Sequence, residues 1–398
     1  MKREHELEKG LYFVHGYYMS DYREQDINEL YRDQMILLKE NIDSIYDIEA
    51  YDVNLREVRI QDQISPGEFV FYNGEEFQTA ENDPTSIVYT ELNQQLTRLI
   101  SYENYGNQPI DISNNISRVF SYHVNVGHGN CSIIVFCEDG NYTMWMIDCS
   151  VFDFTNRQNY SNNLDRCMDD IYKEFRIKTI SKLLITHLHY DHINGVEHLI
   201  KNKWIDRNTE VWMNTQYPWK QPTYNRILLQ LKAMGVRIID PVVGNSTQHI
   251  NILYPYVSYN SKNKAPKNNI NNASVLYQIR LGQDKMLFTG DIEAEGWDKV
   301  KTCYPHLNES TYYCISHHGS ITGHLRSICV EHMPINTLAN CAHSTQLQVL
   351  MGRDNAYKGI FSPKVTSDFQ TILKTEAAKH YFRIEWGSKN PANTVLFY

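Results

Sequence analysis

One six-residue stretch limits this chain more than any other: His187-Leu188-His189-Tyr190-Asp191-His192, set directly after the apolar run Leu183-Leu184-Ile185-Thr186. An apolar run of that length ending in polar residues reads as a buried strand that delivers its next residues to a sheet edge. In extended chain, residues i and i+2 face the same side, so His187 and His189 can grip one ion. Asp191 and His192 then turn into the start of a helix and can reach a second ion nearby. Imidazole nitrogens with a carboxylate suit zinc, manganese or iron(II). A polar loop whose histidines merely cap a helix would not need this spacing. A fold that holds such a loop must bring other ligands to the same edge.

Two downstream segments offer them. Met286-Leu287-Phe288-Thr289-Gly290-Asp291 ends an apolar strand on a carboxylate, and Cys314-Ile315-Ser316-His317-His318-Gly319-Ser320 ends another on two histidines. Taken singly each is weak, since Gly-Asp is common in turns and paired histidines occur on surfaces. Three strand ends with metal-type ligands fit one mouth shared by two sheets. Around them strands and helices alternate from Ile116 onward, and hairpins such as the one turning at Asp139-Gly140 occur too, so the sheets are expected to be mixed. Helices are expected near 163–176, from about Ile193, and over 224–236.

The bulk properties agree with a globular protein that can bury a large core. The chain has 398 residues, 42% apolar and 21% charged. It shows no apolar run approaching the roughly 18–20 residues of a membrane span. The start, MKREHELEKGLYFV, is too charged for a signal peptide, so the expectation is a cytoplasmic protein with no membrane partner. Eight scattered cysteines, with no C-x-x-C pair, argue against a disulfide framework or a cysteine zinc site.

Charge divides the chain. Residues 1–116 carry 9 Lys+Arg against 23 Asp+Glu, a net −14, and the remainder sums to +5. Two units follow: an acidic N-terminal α/β unit over 1–116, with helices near 21–42 and 84–102 and a hairpin over 67–77, and a larger domain over 117–398. The turn-rich segment 104–115 marks the seam. The acidic unit is either a simple extension or a surface for a protein partner, and the larger unit could accept an anionic substrate.

The ordered set VNVGHGNCSIIV, IDCS, THLHYDH, NNASVLYQI, LFTGDIE and ISHHGS resembles the metallo-β-lactamase superfamily. More narrowly it is similar to the metal-dependent hydrolase domain of ComEC-like competence proteins, over about residues 117–398. That resemblance implies an α/β (α+β) four-layer αββα sandwich with two divalent ions, zinc foremost and manganese as the alternative, at one edge of the two sheets. His187 and His189 would hold the first ion, and Asp191 and His192 the second. Asp291 would bridge them, and a histidine of the 317–318 pair would complete the second site. His317, reached first after the strand, is the expected ligand, with His318 facing the substrate; the reverse order stays open. Asp148, in IDCS, resembles a carboxylate that orients the histidine loop.

There are departures. Many members supply a third histidine to the first ion, and here only His198 and His249 lie in the right interval, both better explained structurally. Asn272 stands in a segment that ComEC-like proteins also have near the site. IDCS lacks the usual following glycine, and Tyr190 is bulky where small residues are common.

Ions sharing Asp291 would make a metal-bound hydroxide near neutral pH, with Asp191 as proton acceptor and His318 or Ser320 donating to the developing oxyanion. Such machinery serves phosphodiesters, β-lactams, thioesters and lactones alike. Three features lean to phosphodiesters, and so to a nuclease or phosphodiesterase: Lys262, Lys264 and Lys267 in a polar loop, the N–H groups of Gly319-Ser320, and a branch whose competence members are thought to degrade DNA. Tyr217, Trp219 and Tyr224 could stack bases or could pack the domain edge. The alternatives are a hydrolase of a small ester, lactone or phosphorylated ligand, and a catalytically reduced partner-binding protein.

Overall fold

In the computed structural model, the described residues are most of 115–387, apart from 216, 218–221, 258–269, 282–283, 304–309, 330–346 and 370–372. They also include 109–112 and the strands at 59–60, 70–72, 76–79 and 396–397. By compactness the chain divides into units Met1–Leu92 and Asn93–Tyr398. In the first unit, Val70–Tyr72 and Glu76–Thr79 pair antiparallel, the hairpin expected over 67–77, and Arg59–Ile60 joins the latter strand in parallel. The helices expected near 21–42 and 84–102 lie outside the described residues. In the second unit, Ile110 N–H donates to Glu210 and Asp111 accepts from the His249 N–H, so the chain is bonded to the larger unit before Ile116.

The larger unit begins with an antiparallel meander: β1 (Ile116–Val124), β2 (Cys131–Glu138) and β3 (Asn141–Cys149). Parallel strands β4 (Lys182–Leu184), β5 (Glu210–Trp212) and β6 (Arg237–Ile239) extend the sheet on the β3 side. A second sheet follows. Antiparallel β7 (Ile250–Tyr254), β8 (Leu276–Leu281) and β9 (Asp284–Phe288) lead into parallel β10 (Tyr312–Cys314), β11 (Leu347–Leu350) and β12 (Leu373–Lys374). The chain then returns to the first sheet, where β13 (Tyr381–Gly387) pairs with β1 and β14 (Leu396–Phe397) lies at the edge. Both sheets are mixed, as the sequence pattern requires.

Near-continuous apolar strands are buried on both faces, and the alternation of side chains assigns each face. Ile134, Phe136, Trp145 and Leu184 of the first sheet pack with Tyr277, Ile279, Met286 and Tyr312 of the second, forming the seam between sheets. Their sequence neighbours Ile133, Val135, Met144, Met146 and Leu183 face outward into a separate core with α1 (Ser161–Phe175). Leu164, Cys167, Met168, Ile171 and Phe175 recur at helical spacing and line the buried face of α1. Leu287 and Tyr313 of the second sheet, with Trp297 and Val300 of the helix Ala294–Cys303, join the same outer core. Helices thus cover the outer faces of two stacked sheets, giving the αββα order.

The helix expected from Ile193 is two pieces, α2 (Tyr190–Ile193) and α3 (Val196–Lys201), so Asp191 and His192 lie inside the first turn. Farther on, α4 spans Pro222–Ala233 and α5 is the helix Ala294–Cys303. Tyr217 and Tyr224 are buried in the core, which withdraws them as base-stacking surfaces; Trp219, Lys262, Lys264 and Lys267 lie outside the described residues. The cysteines among the described residues are all free thiols. No helix among them is long and apolar enough to cross a membrane.

Candidate metal centre

Four neighbouring strand ends build the site: β3 and β4 from one sheet, β9 and β10 from the other. Asp148, on β3 with a left-handed φ of 52°, is the local organiser. Its carboxylate accepts from the Thr186 N–H at 2.7 Å and the Thr186 hydroxyl at 2.8 Å, and lies 2.8 Å from His192 Nδ1. The histidine loop is therefore tied at both ends to one buried side chain, and His192 is turned so that Nε2 faces the centre. The two sheets meet here, since Val275 N–H donates to the Thr186 carbonyl.

Asp291 follows Gly290, whose φ is +53°. A Cβ at Gly290 would lie 2.7 Å from Thr186 Oγ1 and 2.9 Å from Ser274 Oγ, so only glycine lets the two loops approach this closely. The Asp291 N–H donates to Ser274 Oγ, and its carboxylate, 3% exposed, reaches inward. Asp291 Oδ1 is 3.3 Å from His192 Nε2, while Oδ2 is 3.5 Å from His318 Nε2 and 3.9 Å from His187 Nε2.

Two groups of donor atoms result. One atom each from Asp191, His192, Asp291 and His318 lie within 4.8 Å of one another; so do atoms from His187, His189 and Asp291. Asp291 is common to both. The expectation for the histidine pair is corrected here: His318, not His317, stands in the four-residue group. His318 Nδ1 lies 3.1 Å from the Met351 carbonyl, which directs Nε2 to Asp191 Oδ2 at 3.1 Å. His317 is 20% exposed, with Nδ1 turned to Thr322 Oγ1 at 3.0 Å and Glu293 at 3.4 Å, and Nε2 3.9 Å from Asp291. Both residues have left-handed backbone, φ 50° and 47°, a conformation that costs energy in non-glycine residues.

Electrostatics show a centre that needs positive charge. Burial works to raise the Asp191 and Asp291 carboxyls, but His192 and His318 outweigh it, and both are held well below the usual carboxylate range. Burial disfavours the charged His192 and His318, yet Asp291 beside each overcomes it: His192 is driven well above its ordinary value and His318 up to about 10. His187 and His189 are pushed down, chiefly by burial. The donor set fits divalent cations by a further sign. His192 Nε2 and Asp291 Oδ1 are buried, face one another, and have no hydrogen-bond partner. Buried polar atoms are nearly always satisfied, so two orphans at the meeting point of six ligand-type side chains mark where an ion fits.

The remaining expected residues are placed as follows. Asn272 Oδ1 accepts from the N–H groups of Glu293 and Gly296, so it caps the start of α5 and braces the Asp291 loop from behind. Ser320 N–H donates to the His317 carbonyl and so is not available to an oxyanion, while its hydroxyl accepts from Thr322 N–H and lies 3.0 Å from Thr322 Oγ1. His198 bonds to Asp165 at 2.7 Å on α3, and His249 pairs with Asp111 at 3.1 Å; neither belongs to the two groups. One neighbour of the site went unnoticed in the sequence. His128, 5% exposed, has Nε2 3.6 Å from Asp191 Oδ2 and its ring 4.3 Å from that of His318. Burial, then His318, lowers its pKa to about 4. The signal was a histidine between two glycines directly before a strand, in VNVGHGNC.

Comparison with known proteins places the chain. The sequence model of the Metallo-beta-lactamase superfamily matches residues 123–245. ComE operon protein 3 of Bacillus subtilis (strain 168) is 26% identical over 144 residues, 36% of this chain; the chain matches only 18% of that protein's length. Among solved structures, the metallo-β-lactamase fold protein YhfI from Bacillus subtilis aligns with a TM-score of 0.39 at 10% identity, over 68% of this chain and 99% of that one. Unliganded yeast PDE1 aligns with a TM-score of 0.32 at 13% identity, over 63% and 92%. The sequence match spans β2 to β6 and the histidine loop between them, so it is residues 123–245 that are similar to the metallo-β-lactamase superfamily.

Proposed function

We propose that this chain is a metal-dependent hydrolase of phosphodiester bonds, acting on an anionic substrate such as a nucleic acid. The observation that carries the proposal is the sharing of Asp291 by two ligand groups. Two-ion centres of this kind suit in-line displacement at phosphorus, because the attacking and leaving oxygens both need stabilisation. His187, His189 and Asp291 would hold one divalent ion, zinc or manganese. Asp191, His192, Asp291 and His318 would hold the other. When bound, the ions supply Lewis acidity and a nucleophilic water near neutral pH.

The protein's part is to hold and move protons around that water. Asp191 Oδ2 is the carboxylate oxygen nearest His318 and His128, placed beside the centre where it can take up the proton that the attacking water gives up. Water oxygen forms a bond to phosphorus, the phosphorus bond to the leaving alcohol breaks, and the alcohol takes up a proton. Asp148 keeps His192 from turning away, and Ser274 fixes the Asp291 backbone. The resemblance read from the motifs supports the phosphodiester choice over other esters. The test is a metal-by-substrate screen with single-stranded DNA, RNA and bis(p-nitrophenyl) phosphate, run beside Asp191→Ala. Turnover of phosphodiesters that needs added metal and is lost in Asp191→Ala is expected. Turnover of carboxylic esters or lactones alone would overturn the substrate assignment.

A further inference from the structure

We propose that His128 is a positioning residue of this centre: its Nε2 faces Oδ2 of Asp191, the same oxygen that meets His318, and holds that carboxylate in place. The inference rests on the metal-centre reading above and adds a group that the histidine loop does not contain.

The surroundings of His128 are built for the purpose. Gly127 has φ +69°, and a Cβ there would lie 2.8 Å from Asp153 Oδ2; a Cβ on Gly129 would lie 2.8 Å from the Asp191 carbonyl. Asn130 N–H donates to that same carbonyl. The two glycines therefore allow the 127–130 turn to lie directly against the backbone of Asp191. Asp153, fully buried, accepts the His128 N–H at 3.0 Å and also Arg353 Nε at 2.8 Å. Arg353 follows Gly352, and a Cβ on Gly352 would come 3.1 Å from His318 Nδ1. One carboxylate thus clamps the turn carrying His128 to the segment that packs on His318.

The ring is confined on both remaining sides. His318 lies on one, at 4.3 Å between centroids, and Tyr357 meets it edge-on at 5.0 Å. Nδ1 is buried with no partner, so the imidazole is not there to satisfy its own hydrogen bonding. A wholly structural ring would be expected to use that nitrogen. The polar contact that the geometry does offer is from Nε2 to Asp191 Oδ2 at 3.6 Å. Groups that orient metal ligands in this way are typically worth 10–100-fold in metal affinity or activity.

Three substitutions separate this role from packing. His128→Leu fills the space without an N–H, His128→Gln restores an N–H at about the place of Nε2, and His128→Asn fits but cannot reach Asp191. Each full-length variant is checked for its melting temperature, then for zinc affinity by competition with a chromophoric chelator, and for kcat and KM on bis(p-nitrophenyl) phosphate. Leu is expected to weaken one of the zinc equivalents about tenfold or more and to lower kcat with KM nearly unchanged. Gln should recover most of both. If Leu does not fold, Asn takes its place and should behave as Leu would. Leu or Asn binding zinc and turning over like wild type overturns the proposal, as does Gln no better than Leu. Wild-type protein that takes up no zinc would instead overturn the metal-centre reading itself.

Discussion

Asp291→Asn is the sharpest perturbation of this site, because the amide keeps the shape of the carboxylate and removes only its charge. The carboxylate is buried, 3.3 Å from His192 Nε2 and 3.5 Å from His318 Nε2. At an effective dielectric of about 20, unit charges at 3.3 Å attract by about 5 kcal/mol. Part of that is returned when a buried carboxylate no longer has to be desolvated, so a net loss of at least about 2.7 kcal/mol, or 100-fold in metal affinity, is expected. Both ligand groups contain Asp291, so both should weaken and hydrolysis should fall with them. Asp191→Asn should differ, since Asp191 belongs to one group alone: one metal equivalent weakens while the His187, His189 and Asp291 group persists. The assay is metal content after dialysis, chelator competition, and turnover of bis(p-nitrophenyl) phosphate across a metal titration. An Asp291→Asn protein that retains both equivalents with wild-type affinity would show that this residue is not shared.

Four further outcomes are expected. His318→Ala should reduce metal affinity ten- to a hundredfold, and His317→Ala less than threefold, measured by the same competition; the opposite order would restore His317 as the ligand. In metal-free protein, His318 has a folded pKa near 10, raised above about 6.5, so its contribution is full below about pH 6.5 and is lost as pH rises toward 10. Melting temperature of the metal-free form should therefore fall over that window more steeply than that of the metal-loaded form, and parallel curves would contradict it. His198→Ala should change hydrolysis less than tenfold, about 1.4 kcal/mol on the barrier, because its partner is Asp165 rather than the centre. If the acidic N-terminal segment gates the more basic larger unit, low salt should inhibit DNA hydrolysis by the full chain more than by a chain starting at Asn93; equal salt responses refute gating.

What the sequence revealed and what it hid have physical reasons. The ligands on strand ends were legible because a strand's direction and its two-residue period fix where its last side chains go. Thus His187, His189, Asp191, His192 and Asp291 bring donor atoms within 4.8 Å of one another in two groups, and Asp148 at the end of IDCS bonds to the loop that carries four of them. The choice between His317 and His318 was not legible. Both follow β10 in the same left-handed backbone, and the deciding contact is a carbonyl at Met351, beyond a different strand. Ser320 and Asn272 lie near the centre in sequence, yet spend their polar atoms on turns and a helix cap, which distance along the chain does not disclose. Tyr224 reads as exposed or buried only once the face of α4 is known.

His128 was hidden for a similar reason: its meaning depends on Asp191, which lies across the fold on another loop. The same dependence explains why the centre reads as a metal site rather than a proton relay. Asp191 and Asp291 both turn toward the same histidines, and Asp291 is buried, so their charge calls for cations or protons close by. In the metal-free protein, protons on His192 and His318 supply the missing charge, which is why both are raised despite burial. A histidine that carries a proton cannot donate its lone pair to an ion, so binding at the four-residue group must expel those protons. Two devices therefore compete for one set of carboxylates, and the balance is set by pH. Asp148 sides with the ion even so: by occupying His192 Nδ1 it leaves Nε2 as the nitrogen that must lose its proton, and that nitrogen faces the unpartnered oxygen of Asp291.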